Sequence, residues 1–278
     1  MTYGSATTAE HVAEYFAHIY KSPSLELIAD FENRYRLVGR SPLVEITQKQ
    51  AALLQEKLGT NFVVRAGMRH SAPFIADAVA ECRAEGATVL RGIILSPQYS
   101  PVIMRGYETE FATAAQQGGF TDFKIAPPWP TQPRFVELLA QRIERALTQP
   151  MPVIFTTHSL PKKVIDQDPS YLSQLQATID AVRALLPADL KWCAAYQSAG
   201  HTPEEWLKPD LVDVLRELRG KKSSVLIVPI QFLSDHLEVL YDLDIAARAQ
   251  CEEFGIAYNR IELPNTHPLF ISALSSLI

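Results

Sequence analysis

Cysteine is scarce in this chain, and the few cysteines lie far apart. Cys82, Cys193 and Cys251 are the only three in 278 residues, and no two of them form a CxxC pair. Disulfide frameworks and local zinc or iron–sulfur sites depend on closely spaced cysteines. We therefore expect no such centre, and we interpret the three as buried thiols of a cytoplasmic protein.

Long apolar runs and a surplus of positive charge are also missing. No apolar run approaches the roughly 18 to 20 residues that a membrane helix needs. The residues after Met1 are polar, unlike those of a secretory signal. Lys and Arg number 26 against 31 Asp and Glu, a formal net charge of −5 at pH 7. A chain without a basic surplus is a poor candidate for binding nucleic acid. We expect neither integral membrane contact nor a nucleic-acid partner.

Three glycine motifs are absent as well. The chain has no P-loop and no G-x-G-x-x-G, so the usual nucleotide-binding interpretations do not apply. It also has no G-x-S-x-G around a serine nucleophile, which excludes the usual serine hydrolase arrangement.

What the sequence does contain is an alternation of apolar, strand-like runs with longer helical segments. Strands are predicted at 61–65, 89–95, 123–126, 153–157, 191–196 and 223–232. Helices are predicted at 9–20, 47–58, 72–85, 107–117, 133–148, 169–186, 204–219 and 236–254. Alternation of this kind, with strands that are apolar along their length, predicts an α/β protein with parallel sheets flanked by helices.

Two proline-rich breaks divide the chain almost equally. They read PPWPTQP at 127–133 and QPMP at 149–152. We predict two similar Rossmann-like lobes, an N-terminal lobe at 1–150 and a C-terminal lobe at 151–278, with a cleft between them. Ligands of open α/β sheets bind beyond the carboxyl ends of the strands, so the residues that follow each strand are the candidates for function.

One candidate is a histidine at the end of a predicted strand. His158 follows the run at 153–157 and precedes Pro161, which stops regular structure. An imidazole with a pKa near 6.5 accepts protons at physiological pH and also binds metals. The alternative is a histidine that only makes a hydrogen bond within its loop.

The stretch after the run at 223–232 is rich in acidic residues. Glu238 and Asp242 are four positions apart, which places both carboxylates on one face of a helix. The first basic residue that follows them is Arg248, and unpaired carboxylates beside a cleft attract a divalent cation. A helix-capping role for Glu238 with Asp235 is the alternative. His236 would point elsewhere on such a helix, and we interpret it as structural.

Six stretches together resemble the ferrochelatases, the enzymes that insert ferrous iron into a porphyrin. They are TTHSLP at 156–161, YQSAGHTPEEWLKP at 196–209, VPIQFLSDHLEVLYDLD at 228–244, RYRLVGRSPLVEIT at 34–47, GMRHSAPFIADAV at 67–79 and LPNTHPLFISAL at 263–274. They follow the family's order across nearly the whole chain. The resemblance implies a two-lobed chelatase fold with the porphyrin bound in the cleft, ferrous iron as a substrate, no iron–sulfur cluster, and a monomer.

The resemblance also implies roles for individual residues. His158 and Glu238 are the expected catalytic pair, facing each other from separate loops across the porphyrin slot. A porphyrin must lose two pyrrole protons before iron binds its four nitrogens, so one partner suits proton removal and the other iron delivery. Which does which stays open. His158, Glu238 and Asp242 are the expected metal-binding residues, Asp242 continuing an acidic row that guides iron inward.

Tyr3 and Gly4 resemble the coproporphyrin type of ferrochelatase, in which a tyrosine lies against the metal of the product. Tyr3, Arg34, Tyr35 and Ser41 are therefore expected to bind coproporphyrin III, which the enzyme would convert to coproheme in haem biosynthesis. The alternatives are a protoporphyrin IX ferrochelatase, a chelatase for another metal and tetrapyrrole, and a porphyrin- or haem-binding protein without activity. The apolar strand that precedes this tyrosine in the family is expected to be missing or reduced to a stub, because only two residues precede Tyr3.

Overall fold

A computed structural model describes residues 1–200 and 203–278. Its helices are α1 (Val12–Ala17), α2 (Leu25–Val38), α3 (Leu43–Leu58), α4 (Ile75–Ala84), α5 (Pro101–Gln117), α6 (Pro133–Ala146), α7 (Lys162–Gln167), α8 (Ser170–Arg183), α9 (Leu211–Leu218), α10 (Arg248–Glu253) and α11 (Pro268–Ser275), with a π-helix at Val239–Ala247 and a 3-10 turn at Ala9–His11. Its strands are β1 (Val89–Gly92), β2 (Asp122–Ile125), β3 (Val153–His158), β4 (Trp192–Gln197), β5 (Ser224–Pro229) and β6 (Ala257–Arg260).

The C-terminal lobe contains a four-stranded parallel sheet in the order β4-β3-β5-β6. β5 is buried along its whole length, and β3 along all but its last residue. Burial on both faces is the reason that these strands read as continuous apolar runs in the sequence. In the register, His158 lies opposite Gln197 and Thr156 opposite Pro229. The carboxyl ends of β3, β4 and β5 therefore meet at one edge of the sheet, as predicted.

The N-terminal lobe has a smaller regular sheet, in which β1 pairs with β2 in parallel. The strand predicted at 61–65 is wrong, since residues 62–67 form no ladder with a neighbour. Between that segment and β1 lies a cavity of about 440 Å³, lined on its two sides by residues such as Val63 and Leu90. A run with strand-like composition becomes a strand only where another strand can pair with it. Here the cavity occupies the place that a pairing strand would take.

Residues 1–3 form the short stub that we expected at the position of a first strand. Thr2 donates its amide to Gly67 O (3.1 Å) and accepts from the amide of Arg69 (3.1 Å). On the other side, the amide of Leu95 donates to Met1 O (2.8 Å). The buried α-amino group of Met1 donates to a carbonyl of the same neighbouring segment, and burial lowers its pKa to about 5. Tyr3 is thereby placed at the carboxyl end of the N-terminal sheet.

The largest apolar core joins elements from both halves of the chain. Phe135 and Ile143 of α6 belong to one buried cluster with Phe155 of β3 and Phe270 of α11. α11 packs against both α6 and α3, although it comes last in the sequence. The domain boundary at residue 150 stays a prediction. In residues 1–200 and 203–278, no helix has both the length and the apolar character needed to cross a membrane.

Candidate active site

His158 is fixed in place by buried polar groups around the end of β3. Its backbone amide donates to Gln231 Oε1 (3.0 Å), and the Tyr171 hydroxyl lies 3.0 Å from both that oxygen and the carbonyl of His158. Nδ1 of the ring makes a short hydrogen bond with the carbonyl of Ser159. A carbonyl can only accept, so Nδ1 carries a hydrogen, and Nε2 of the neutral ring is the nitrogen that can accept a proton or bind a metal.

Glu238 faces this nitrogen from the segment that follows β5. Its Oε2 lies 3.7 Å from His158 Nε2 and 3.9 Å from His236 Nε2. The ring of Phe232 packs against both imidazoles, with centroid distances of 6.5 and 4.8 Å. A structural role for His236 stays a prediction, but the expectation that it points away from Glu238 is wrong. That expectation assumed a helix from residue 236, whereas helical structure begins only after His236, which the preceding loop turns towards Glu238.

The separation of His158 and Glu238 decides how a flat ligand meets them. Atoms that contact opposite faces of a macrocycle must be about 7 Å apart, because each lies about 3.5 Å from the ring plane. The observed distance of 3.7 Å is too short for that arrangement. A macrocycle therefore does not fit between the two side chains as they lie here, and their placement on opposite faces of a porphyrin stays a prediction, one that requires them to move apart.

Asp242 lies in the π-helix, one turn beyond Glu238, and is not unpaired as the sequence indicated. Ser198 donates a short hydrogen bond from its hydroxyl to Oδ2, and Arg34 Nη1 lies 3.8 Å from Oδ1. Burial raises the pKa of the Asp242 carboxyl, and the charge of Glu238 adds to this, while Ser198 and Arg34 oppose it. Ser198 follows β4 and has a left-handed backbone with φ of 56°. In the sequence, the only feature that pointed to Ser198 was its place in a polar turn after the strand predicted at 191–196.

The π-helix is attached to the sheet by a second acidic residue. Asp244 accepts hydrogen bonds from Arg260 at Nε (2.8 Å) and Nη2 (2.6 Å), and from the Tyr258 hydroxyl (3.2 Å). Asp235 lies 3.6 Å from the same guanidinium and is hydrogen-bonded to Asn265. The proposed capping box of Asp235 with Glu238 is not formed, because Asp235 binds these partners instead. A single α-helix was predicted over 236–254, but the chain forms the π-helix followed by α10. π-Helical turns are rare and often lie at functional sites.

Tyr3 approaches this region from the N-terminal lobe. Its side chain is 42% exposed, and its ring lies 4.4 Å from that of His70. Burial raises the pKa of Tyr3, and the nearby carboxylate of Glu238 contributes in the same direction. Gly4, with φ of 95°, allows the sharp turn that follows, since a Cβ there would lie 2.6 Å from Ser71 Oγ.

Tyr35 and Ser41 are buried within the N-terminal lobe, each with 2% exposure. The Tyr35 hydroxyl lies 2.9 Å from both Ala6 O and Ser5 Oγ, and Ser5 Oγ lies 2.8 Å from Ser41 Oγ. These bonds hold the loop that follows Gly4. Direct contact of Tyr35 and Ser41 with a porphyrin stays a prediction, one that requires both hydroxyls to become exposed.

No closed metal centre is preformed in the part of the chain that the structure describes. Within it, no group of three His, Cys, Asp or Glu side chains is arranged to hold a metal ion. His158 and Glu238 form a pair, while Asp242 lies further along the π-helix with its own partners.

Comparisons with known proteins agree with this architecture. The ferrochelatase family model matches residues 2–278. Two similar curated proteins are named coproporphyrin III ferrochelatase. The one from Geobacillus kaustophilus (strain HTA426) is 36% identical over 296 residues, covering 100% of this chain and 93% of the relative. The one from Anoxybacillus flavithermus (strain DSM 21510 / WK1) is 35% identical over 295 residues, with coverage of 100% and 93%.

Two solved structures share the fold. SirB from Bacillus subtilis with Fe³⁺ matches with a TM-score of 0.62 and 15% identity, covering 84% of this chain and 88% of that one. CbiX, described as the terminal enzyme for biosynthesis of sirohaem in denitrifying bacteria, matches with a TM-score of 0.58 and 16% identity, covering 85% and 91%. These likenesses support the two-lobed α/β fold that the sequence predicts.

Proposed function

This chain belongs to the ferrochelatase family, and we propose that it inserts ferrous iron into coproporphyrin III to form coproheme, with His158 and Glu238 as its catalytic pair. The family and the curated relatives support iron insertion in haem biosynthesis. The observation that carries the residue assignment is the 3.7 Å approach of His158 Nε2 to Glu238 Oε2, made from the ends of neighbouring parallel strands.

The reaction exchanges one Fe²⁺ for two pyrrole protons, so the site must accept protons while it releases a cation. His158 Nε2 is the proton acceptor in our proposal, because the bond of Nδ1 to a carbonyl leaves Nε2 as the basic nitrogen. Glu238 lies within reach of two imidazoles and accepts protons from them or holds the iron before transfer. Because the three side chains lie this close together, we treat them as one unit.

Iron delivery is proposed to run from Asp242 to Glu238. The two carboxylates are one turn apart, and the charge of Glu238 contributes to the raised pKa of Asp242. Carboxylate and imidazole ligands both suit ferrous iron. In this proposal iron is held briefly at each carboxylate rather than stored.

Coproporphyrin III is proposed as the substrate on two grounds. The curated relatives carry that name over the full length of this chain, and Tyr3 is exposed at the carboxyl end of the N-terminal sheet, near Glu238. Arg34 is the cation proposed to receive a propionate. Side-by-side kcat/KM values for coproporphyrin III and protoporphyrin IX test the choice, and a higher value for protoporphyrin IX would overturn it.

We further propose that the enzyme is a cytoplasmic monomer without an iron–sulfur cluster or a nucleic-acid partner. All three cysteines are free, with Cys82 and Cys251 buried, and the net charge of −5 supports no polyanion partner. Iron analysis of the purified protein tests for an iron–sulfur cluster, and its sedimentation behaviour tests whether it is a monomer.

The decisive experiment follows coproporphyrin III fluorescence during anaerobic incubation with Fe²⁺. We expect the wild-type protein to quench the fluorescence as iron enters, and His158→Ala to bind the porphyrin without turnover. The exposed His11, which contacts only Thr8 among described hydrogen-bond partners, provides the matched control His11→Ala. Unchanged turnover in His158→Ala would refute the assigned pair. Tight porphyrin binding by the wild type without iron insertion would support the non-catalytic alternative.

A further inference from the structure

Arg34 connects the two lobes at the start of the proposed iron path. It projects from α2 and places Nη1 3.8 Å from Asp242 Oδ1 on the π-helix. Its Nη2 is paired with Asp30 on its own helix at 2.8 Å. The guanidinium also lies over the rings of Phe31 (4.9 Å) and Tyr241 (5.0 Å). The side chains of Arg34 and Asp242 are only 18% and 19% exposed, so water screens this pair less than a surface pair.

The two oxygens of Asp242 face different groups. Oδ2 accepts the short hydrogen bond of the Ser198 hydroxyl, whereas Oδ1 faces the guanidinium. A divalent cation binds a carboxylate oxygen at about 2.0 to 2.2 Å. A cation at Oδ1 would therefore lie within a few ångströms of a fixed positive charge, and the two would repel. While Arg34 stays in place, Asp242 is a poor cation ligand.

The contact between Arg34 and Asp242 is an easily broken one. At 3.8 Å it is longer than a hydrogen bond, whereas the pair with Asp30 is not. A guanidinium binds a carboxylate best through two parallel hydrogen bonds, and coproporphyrin III, the substrate in our proposed function, brings four carboxylates. A substrate carboxylate in reach would form the stronger pair and draw the guanidinium away from Asp242.

We propose that Arg34 couples the two substrates: it neutralises Asp242 while the cleft is empty, and a porphyrin carboxylate withdraws it, so that ferrous iron binds Asp242 after the porphyrin has bound. The inference rests on the proposed function and adds an order of binding to it. Coupling between two ligands is reciprocal, so the metal must increase porphyrin affinity by the factor by which porphyrin increases metal affinity.

Binding without turnover tests the coupling. Zinc coproporphyrin III carries the same carboxylates but cannot accept a second metal, and Mn²⁺ can be titrated by the loss of its free-ion EPR signal. In the wild type we expect zinc coproporphyrin III to lower the Kd of Mn²⁺ by about tenfold. In Arg34→Gln we expect tight Mn²⁺ binding without porphyrin and less than a twofold further change. Asp242→Asn should abolish the responsive Mn²⁺ site in both states.

Two further variants separate charge from geometry. Arg34→Lys keeps the charge and should keep the weak metal binding of the protein without porphyrin. We expect less coupling, because an ammonium cannot bind a carboxylate through two parallel hydrogen bonds as a guanidinium does. Arg36 lies two positions away, is 61% exposed and pairs with Glu32, so Arg36→Gln is the matched control and should behave like wild type.

Steady-state kinetics give a second measurement. At a subsaturating concentration of coproporphyrin III, Arg34→Gln should lower the apparent KM for iron, and it should raise the KM for coproporphyrin III. A raised KM for porphyrin with an unchanged KM for iron would mean that Arg34 only binds a carboxylate, and it would overturn the coupling. Equal Mn²⁺ affinity in wild type and Arg34→Gln, or no Mn²⁺ binding to the porphyrin-bound wild type, would do so too. These outcomes differ from failure of the proposed function, in which the wild type inserts no iron.

Discussion

The Asp244–Arg260 pair is expected to determine how firmly the π-helix is held, and Asp244→Asn tests this. Two hydrogen bonds of 2.8 and 2.6 Å join the carboxylate to the guanidinium, and a third comes from Tyr258. The side chains of Asp244 and Arg260 are 22% and 13% exposed. The substitution keeps the size of the side chain but removes its negative charge. The positive charge of the mostly buried Arg260 guanidinium is then less well neutralised.

The expected cost lies between two known limits. Breaking a buried pair costs about 3 to 5 kcal/mol, and breaking an exposed one about 0 to 1 kcal/mol. This pair is mostly buried, but Arg260 keeps Asp235 at 3.6 Å, which offsets part of the loss. We therefore expect the free energy of unfolding to fall by about 2 kcal/mol. For a chain of this size that corresponds to a Tm lower by about 3 to 4 °C.

Urea unfolding followed by circular dichroism measures the change, together with a double-mutant cycle of Asp244→Asn and Arg260→Gln. We expect a coupling energy of about 1.5 to 2 kcal/mol. Asp213, 42% exposed and paired with Lys208 and Arg216, gives the control Asp213→Asn, which should cost less than about 1 kcal/mol. Equal losses in the two Asp variants, or a coupling energy below about 0.5 kcal/mol, would refute the reasoning.

Three other predictions follow from single contacts. Tyr35→Phe removes the hydroxyl that holds the loop after Gly4, so we expect a loss of about 1 to 2 kcal/mol in urea unfolding and a raised KM for porphyrin. In a polypeptide that begins at Met1, the amine has a pKa of about 5 when folded and about 8 when unfolded, so the unfolded state binds more protons between these values. Stability should rise from pH 5 to pH 8 by at most about 4 kcal/mol, and N-acetylated protein should lack this rise. Burial raises the pKa of Cys251 to about 11, so a thiol reagent at pH 8 should modify it only after unfolding, as mass spectrometry of the labelled protein would show.

The strands that could be predicted from sequence are those with an apolar or β-branched run. β3 and β5 were predicted to within a few residues because strands buried along their length leave a continuous apolar signal. β4, an edge strand of mostly intermediate burial, was predicted as closely because its sequence is largely apolar. β6 was missed because its sequence AYNR is polar and it lies at the edge of the sheet. α2 was missed because Tyr35 is its one buried residue, so it shows little apolar periodicity. The helix predicted at 204–219 begins only at Leu211, after a cap by Asp210 and directly behind Pro209.

In the site, too, features that depend on nearby sequence could be predicted, whereas contacts between residues far apart in the sequence could not. The approach of His158 to Glu238 could be predicted because each lies at or after the end of a strand within a distinctive stretch of sequence, while their catalytic role stays a prediction. Their surroundings could not be predicted, since Asp242 is bonded to Ser198, which is 44 residues away. The helical pattern even suggested unpaired carboxylates, because the cations that pair with Asp242 and Asp244 belong to α2 and β6. Such pairs depend on the tertiary fold, which no local pattern encodes.

Two polar connections join the N-terminal lobe to the π-helix region, and they differ in strength. Gln50 on α3 donates at 2.8 Å to both Ser234 Oγ and Asn265 O, and Asn265 is bonded in turn to Asp235. These contacts are short and largely buried, so they fix the segment that leads to Glu238 against the other lobe. The connection through Arg34 includes a long ion pair with Asp242 and a contact with the ring of Tyr241. A carboxylate ligand that displaces Arg34 is therefore expected to leave the positions of His158 and Glu238 unchanged, as the proposed coupling of the two substrates requires.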